Sequence, residues 1–214
     1  MSSTNDNISA KLNYGLNALN LKLDSNKIEK LLILIKELER WNKKINLTAI
    51  RSIEDMVSGH LLDSLIVGPH LKGKSIIDVG TGAGFPGLPL AIIYPDLEFL
   101  LLDSNGKKIG FIKHMINILG LKNTLAIKNR AEDYVPSNGF DTVIARAITD
   151  LPRLIRLTQH MLHETGSIIA LKGIKPIKEI QKIPNVWKAS VCRVSVPGLE
   201  THERHIICLE RPSK

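Results

Sequence analysis

Aromatic side chains make up only 4% of this chain, and it holds just two cysteines, Cys192 and Cys208. Two cysteines so placed exclude a disulfide framework, a C-x-x-C redox pair and a thiolate metal site. Both read as buried thiols in a reducing cytoplasm. No apolar run approaches the ~18–20 residues of a membrane span, and no signal-peptide pattern opens the chain. The sequence shows no metal-ligand spacing of His, Cys, Asp and Glu, no N-P-P-Y segment and no catalytic cysteine motif. Internal repeats and low-complexity stretches are missing too. What is there is the composition of a globular protein, 43% hydrophobic and 23% charged. Its 214 residues allow one domain with a modest appendage.

Charge is the first positive signal. The net charge of +8 is uneven. Residues 1–70 carry nine Lys and Arg against eight Asp and Glu, as do residues 71–150, whereas residues 151–214 carry eleven against five. A basic final third suits an anionic partner, although a solvated basic face would look the same.

The most informative stretch is SIIDVGTGAGFPGLPLA, Ser75 to Ala91. Ile76, Ile77 and Val79 around Asp78 read as a short buried strand. Glycines follow at 80, 82, 84 and 87, and a helix begins near Pro86, whose fixed φ suits a first turn. Strand, glycine turn and helix bring backbone close to a nucleotide-like ligand in α/β folds. A dinucleotide fingerprint would need glycine at 85, where Phe85 stands. Asp78 beside the turn would repel a pyrophosphate and suits a cationic ligand, which points to S-adenosylmethionine with its amino group and sulfonium.

The rest of the chain fits around that stretch. Polar residues 1–9 read as frayed. Ile8 to Leu19 is a weak helix, and Asn26 to Asn42 a stronger amphipathic one with Ser25 as N-cap. KKINLTAI reads as a linker, and Ile53 to Val67 as a further helix carrying His60 and Asp63, with His60 read as a packing residue. Strands and helices then alternate as in a parallel sheet. Leu97 to Leu102 is a strand closed by Asp103, an acid placed either to bind both ribose hydroxyls or to cap the helix Asn105 to Leu119. Thr124 to Lys128 is a third strand, after which Ala131 leaves room for a ring and Glu132 can accept from an exocyclic amine. Asp141 to Ala145 leads to Arg146, an anion contact or a structural ion pair. Ser167 to Leu171 is the fifth strand, and Ala189 to Val196 with His205 to Leu209 form an antiparallel pair. Arg153, Arg156, Lys172, Lys175 and Lys178, with Lys182 and Lys188, form the candidate phosphate-tracking surface. Phe85, Tyr134 and Trp187 are either base-stacking or core residues.

The segments WNKKINLTAI, HLLDSL, IDVGTGAGFPGLPLAI, LLDSNGKKIGF and FDTVIARA resemble, in that order, the RsmG (GidB) family of bacterial ribosomal RNA methyltransferases. The resemblance covers roughly residues 28–209. It implies a class I (Rossmann-like) methyltransferase fold, α/β, with a mostly parallel seven-stranded sheet over residues 70–214 and a helical N-terminal extension over residues 1–69. It also implies methyl transfer from S-adenosylmethionine to N7 of a guanine in the decoding region of 16S rRNA. By matching positions, Gly80, Phe85, Ala131, Glu132 and Arg146 contact the cofactor and Asp103 falls at the ribose; Asp78 and Gly82 complete the set read from the loop. Ala83 and Phe85 depart slightly from residues common in the family.

Guanine N7 has a free lone pair, so it attacks a sulfonium-bound methyl without first losing a proton. No general base is expected, and Arg146 has a positioning role. Double-stranded RNA hides N7 in a narrow groove, so the target is expected in a loop or unpaired. The expected partner is 16S rRNA or the small ribosomal subunit, for a cytoplasmic monomer with no metal and no membrane attachment; the product is S-adenosylhomocysteine. A methyltransferase for another RNA or a small molecule, a nicotinamide oxidoreductase and a non-enzymatic RNA-binding module are the competing readings.

Overall fold

The computed structural model describes residues 2–146 and 149–211; Met1 and Ala147, the last residue of FDTVIARA, lie outside them. Helix α1 spans Ser2–Ala18 and α2 spans Ser25–Ile45. The first helix starts earlier than its polar opening suggests, because no proline or glycine interrupts the chain before Gly15. Its Ile8, Leu12 and Leu16 lie one turn apart and are buried, as are Leu31, Leu34, Ile35 and Leu38 of α2. Asp24, rather than Ser25, caps α2: its carboxylate accepts from Lys27 N at 2.9 Å. The linker is pinned by the buried Asn42, which accepts from Thr48 N at 3.0 Å and donates to Ile50 O at 3.1 Å. The expected helix from Ile53 is three pieces: α3 Ile53–Met56, a π turn Val57–Leu62 and α4 Asp63–Leu65.

The sheet follows, built from β1 Ser75–Val79, β2 Glu98–Asp103, β3 Thr124–Lys128, β4 Phe140–Arg146, β5 Leu162–Lys172, β6 Lys188–Val194 and β7 Arg204–Glu210. Helices α5 Gly87–Ile93, α6 Gly106–Leu119, α7 Leu151–Thr158 and α8 Ile177–Ile180 connect them. Strand order is β3-β2-β1-β4-β5-β7-β6, with β1 to β5 parallel and β7 antiparallel to both its neighbours. This is the expected mostly parallel seven-stranded sheet. Val79 lies level with Leu102 and with Ala145, and Arg146 with Leu171, so the ends of β1, β2, β4 and β5 form one edge. A parallel sheet is buried on both faces. Accordingly one cluster packs α1, α2, α5 and α6 against one face, and another packs α7 and Trp187 against the opposite face.

Strand limits fall within one residue of expectation except at two ends. Strand β5 begins at Leu162, five residues before Ser167, and β6 ends at Val194 instead of Val196. Strand β6 is an edge strand whose alternation turns Cys192 to the surface, so that thiol is exposed and not buried; Cys208 is half-buried. No helix among the described residues is long and apolar enough to cross a membrane.

Candidate active site

The glycine turn hangs from the middle of the sheet. Thr81 N donates to Leu102 O at 3.1 Å, and Gly84 N and Phe85 N both donate to Thr81 O at 3.0 Å. Asp78 ties the strand to the helix after the turn: its Oδ2 accepts from Thr81 Oγ1 at 2.6 Å and Gly87 N at 2.8 Å. A Cβ at Gly87 would lie 2.8 Å from Leu101 Cγ and 2.9 Å from Asp78 Oδ2, so glycine is required for helix and strand to approach this closely. The other oxygen of Asp78, Oδ1, is buried and has no partner. Burial pushes its pKa up to about 6, against the opposing pull of the Thr81 and Gly87 hydrogen bonds and the Arg146 charge.

Two observations test whether the turn fits the expected cofactor. Gly82 has φ +64°, and a Cβ there would meet nothing within 4 Å, so the backbone borders open space. The unpartnered Asp78 Oδ1 is a buried acceptor awaiting a donor, as an ammonium group would be. Both fit a ligand with a cationic amino acid end.

Asp103 closes β2 and is nearly buried. Its Oδ2 accepts from Gly82 N at 2.9 Å and its Oδ1 from Asn105 N at 2.8 Å, so one carboxylate braces the glycine turn and the entry to α6. Capping of α6 falls to Asn105, which accepts from Lys107 N and Lys108 N. Each Asp103 oxygen keeps a lone pair free for a ligand hydroxyl.

Asp103 and Gly80 line a cleft of about 300 Å³ together with Ala131, Glu132 and Arg153. Val79 and Leu102 form its floor, and Ser104, Asn129, Arg130, Thr149 and Leu157 complete it. The cleft lies at the low end of small-molecule sites, ~300–1,000 Å³. It opens between β3 and β4, where residues 129–139 contain no helix to cover it. Four residues expected at the cofactor are thus together. Asp78, Gly82 and Phe85 do not line this cleft; Gly82 is tied to its wall through Asp103.

A second cleft of about 390 Å³ lies on the same edge, at the ends of β4 and β5. Its walls are Gly59, His60 and Asp63 from the broken helix, Arg146, Leu171, Lys172 and Gly173 from the sheet, and Arg204 from β7. Arg146 forms the ion pair that the sequence left open: Nη1 reaches Asp63 Oδ2 and Gly59 O, each at 3.3 Å. Asp63 Oδ1 accepts from Arg204 Nε at 2.9 Å. One buried carboxylate therefore faces two guanidinium groups; Lys172 is paired with Glu179 and adds no free cation. His60 adds none. Burial and the Arg146 charge lower its pKa to about 3, its Nε2 lies 2.8 Å from Thr48 Oγ1, and its ring stacks on Phe85 at 4.9 Å.

The candidate phosphate contacts are dispersed. Arg153 borders the first cleft, and Arg156, Lys175 and Lys178 are exposed. Lys172 is turned inward, to Thr149 O at 2.7 Å and Glu179 at 2.8 Å. Phe85 and Trp187 are core residues, Trp187 beneath the Arg211 guanidinium at 4.8 Å, and Tyr134 packs half-buried on the second cluster. Sequence reasoning missed Asn129 and Arg130, although they stand in the same turn as Ala131. It missed Arg204 for a better reason: its partner Asp63 is 141 residues away, and no local spacing connects them.

A family model described as rRNA small subunit methyltransferase G matches residues 27–207. The ribosomal RNA small subunit methyltransferase G of Legionella pneumophila (strain Corby) is 45% identical over 98% of this chain and 98% of its own. That of Shewanella amazonensis is 43% identical over 94% and 98%. Among solved structures, a SAM dependent methyltransferase from Aquifex aeolicus matches 88% of this chain and 100% of its own, with TM-score 0.56 and 16% identity. TYW2 of M. jannaschii, crystallised in complex with AdoMet, matches 72% and 76% with TM-score 0.55 and 16% identity. These two likenesses carry the fold alone.

Proposed function

Because the chain belongs to the rRNA small subunit methyltransferase G family, we propose that its paired clefts hold S-adenosylmethionine and a guanine of 16S ribosomal RNA and transfer a methyl group to guanine N7. The observation that carries this reading is the pairing, on one sheet edge, of buried carboxylate acceptors at the glycine turn with a cleft that holds two guanidinium groups for one carboxylate. The first cleft sets the carboxylates of Asp103 and Glu132 against Arg130 and Arg153, with the unpartnered Asp78 oxygen buried next to the glycine turn. The second offers Arg146 and Arg204 against a single buried Asp63, with Lys172 neutralised by Glu179. The free acceptors suit a cationic amino acid end, and the surplus guanidinium suits a phosphate.

In the first cleft Asp103 takes the ribose hydroxyls on its free lone pairs, Ala131 leaves room for the adenine and Glu132 accepts from its amine. Gly80 and Gly82 bring backbone against the ligand, and Asp78 Oδ1 receives its amino group. S-adenosylmethionine supplies a methyl group on a sulfonium, which leaves as the neutral thioether S-adenosylhomocysteine. On the other side Arg204 and Arg146 hold the RNA backbone. The Asp63 and Gly59 contacts fix the Arg146 guanidinium, so it positions without moving a proton. N7 attacks with its own lone pair, and the resulting positive charge on the base needs no base to remove it.

The test uses small-subunit RNA from cells lacking this enzyme, offered as naked RNA, as an assembly intermediate and as the subunit, with labelled S-adenosylmethionine. N7-methylguanine at one position in at least one of these substrates is the expected product. Methyl transfer to another base, or none to any of the three, rejects the assignment.

A further inference from the structure

We propose that the connection between β5 and β6 is an apolar wedge, with Ile174 at its tip, that holds RNA open beside the target guanine. The inference rests on the RNA reading above and adds how the base is presented. Of the seven large hydrophobic side chains most exposed among the described residues, three fall in this one connection: Ile174 at 80%, Ile177 at 57% and Val186 at 56%. Ile174 directly follows Lys172 and Gly173, which line the cation-rich cleft, so the tip stands at the mouth of the proposed RNA side.

The connection is exposed yet firmly mounted. His205 Nδ1 donates to Gly173 O at 2.7 Å, and Lys172 Nζ reaches Thr149 O and Glu179. Glu179 Oε2 also accepts from Leu151 N at 2.8 Å, which joins α8 to α7. Pro176 is buried beneath the turn, and the buried Trp187 closes the far end. Such anchoring serves a side chain that must displace a stacked base, because a mobile tip would yield first.

The surrounding charge selects the occupant. Lys175 and Lys178 line one surface hollow with Ile174 and Ile177, Lys182 follows in the same connection, and Glu179, the one acid between Gly173 and Lys188, is spent on Lys172. A second copy of this chain would bring like charge against like. A polyanion with apolar faces, which is what an unstacked RNA strand offers, satisfies both the lysines and the isoleucines. The need is steric as well: N7 of a guanine in an RNA helix faces a deep, narrow groove that an enzyme cleft cannot enter, so the base must leave the helix.

Two RNAs separate the outcomes. One is the small-subunit RNA fragment in which the target guanine is stacked in its folded loop. The other is a short unstructured oligonucleotide of the same local sequence. Ile174→Ala is expected to lower kcat/KM on the folded fragment by about tenfold or more while leaving the oligonucleotide unaffected, and Ile174→Met should restore most of the loss. Binding is read separately with 2-aminopurine placed next to the target guanine: fluorescence should rise on adding the parent protein with S-adenosylhomocysteine, and stay low with Ile174→Ala. Equal kcat/KM for parent and variant on the folded fragment overturns the wedge. Equal loss on both RNAs overturns it too, since the isoleucine would then be a plain contact. A loss confined to the assembled subunit would assign the tip to a protein neighbour instead. If the parent methylates neither RNA nor the subunit, the RNA reading itself fails, a different result from all of these.

Discussion

Asp103 already accepts two backbone N–H groups, yet it is the residue on which cofactor affinity should depend most. Ribose hydroxyls would bond a charged acceptor, and such hydrogen bonds are worth ~1.5–3 kcal/mol each. Asp103→Ala is therefore expected to weaken S-adenosylmethionine binding at least about tenfold, read by calorimetry. Unchanged affinity would remove the ribose assignment. Losing the brace to Gly82 N loosens the turn as well, so Asp103→Asn, which keeps the shape and an acceptor oxygen, should fall between the two. Gly82 gives the complementary test. Its φ of +64° strains any β-branched residue, and the side chain would project into the open space the ligand needs. Gly82→Val should abolish binding in a protein that circular dichroism shows to be folded; retained micromolar affinity would mean that the loop is only a turn.

At the scale of elements, the broken helix Ile53–Leu65 carries the clearest pH signature. His60 in its π turn has a pKa of about 3 against the usual 6.5, so the unfolded chain binds the extra proton and stability rises with pH up to about 6.5. Asp78 at the end of β1 has the reverse sign. Its pKa of about 6 against 3.8 means that the folded state holds the extra proton, and stability falls as pH rises from about 4 to 6. The two slopes oppose each other in that window. His60→Gln removes one, so its unfolding free energy should decline from about pH 4 to 6 by a larger slope than the parent's, as urea titrations at several pH values would show. An identical slope would mean that His60 titrates normally. Neither feature was legible in the sequence, because each depends on burial by distant segments. The strands were legible, since continuous apolar runs such as FLLL and VIA announce a buried sheet. So was the first cleft, because Gly80, Asp103, Ala131 and Glu132 all stand at or just after strand ends that the topology brings together. The Asp24 cap was one residue from the one expected. The second cleft was half legible: Arg146 was seen, but Asp63 read as one residue of an ordinary helix and Arg204 lay outside the strand read from His205 to Leu209.

At the scale of the whole molecule, the excess charge lies where the anionic partner is expected. Six of the eight net positive charges belong to residues 151–214, which supply α7, the β5–β6 connection and Arg204 along the catalytic edge. Their cations differ in what they can do. Lys172 is spent inside the fold on Glu179, whereas Lys175 and Lys178 are exposed and make no ion pair among the described residues. If the exposed pair tracks phosphates, each contact releases condensed counterions, and log K should fall with log salt by about 0.7 per contact on single strands. Replacing both lysines with alanine should make that slope shallower by about 1.4 and raise KM for RNA, with S-adenosylmethionine affinity unchanged because neither residue borders the first cleft. Arg146→Ala should differ in kind. Its guanidinium lines the second cleft and is held by Asp63, so turnover should drop even at saturating RNA. An unaltered salt slope in the double lysine variant would move the phosphate-tracking surface elsewhere, to the basic residues Lys36, Arg40, Lys43 and Lys44 of α2.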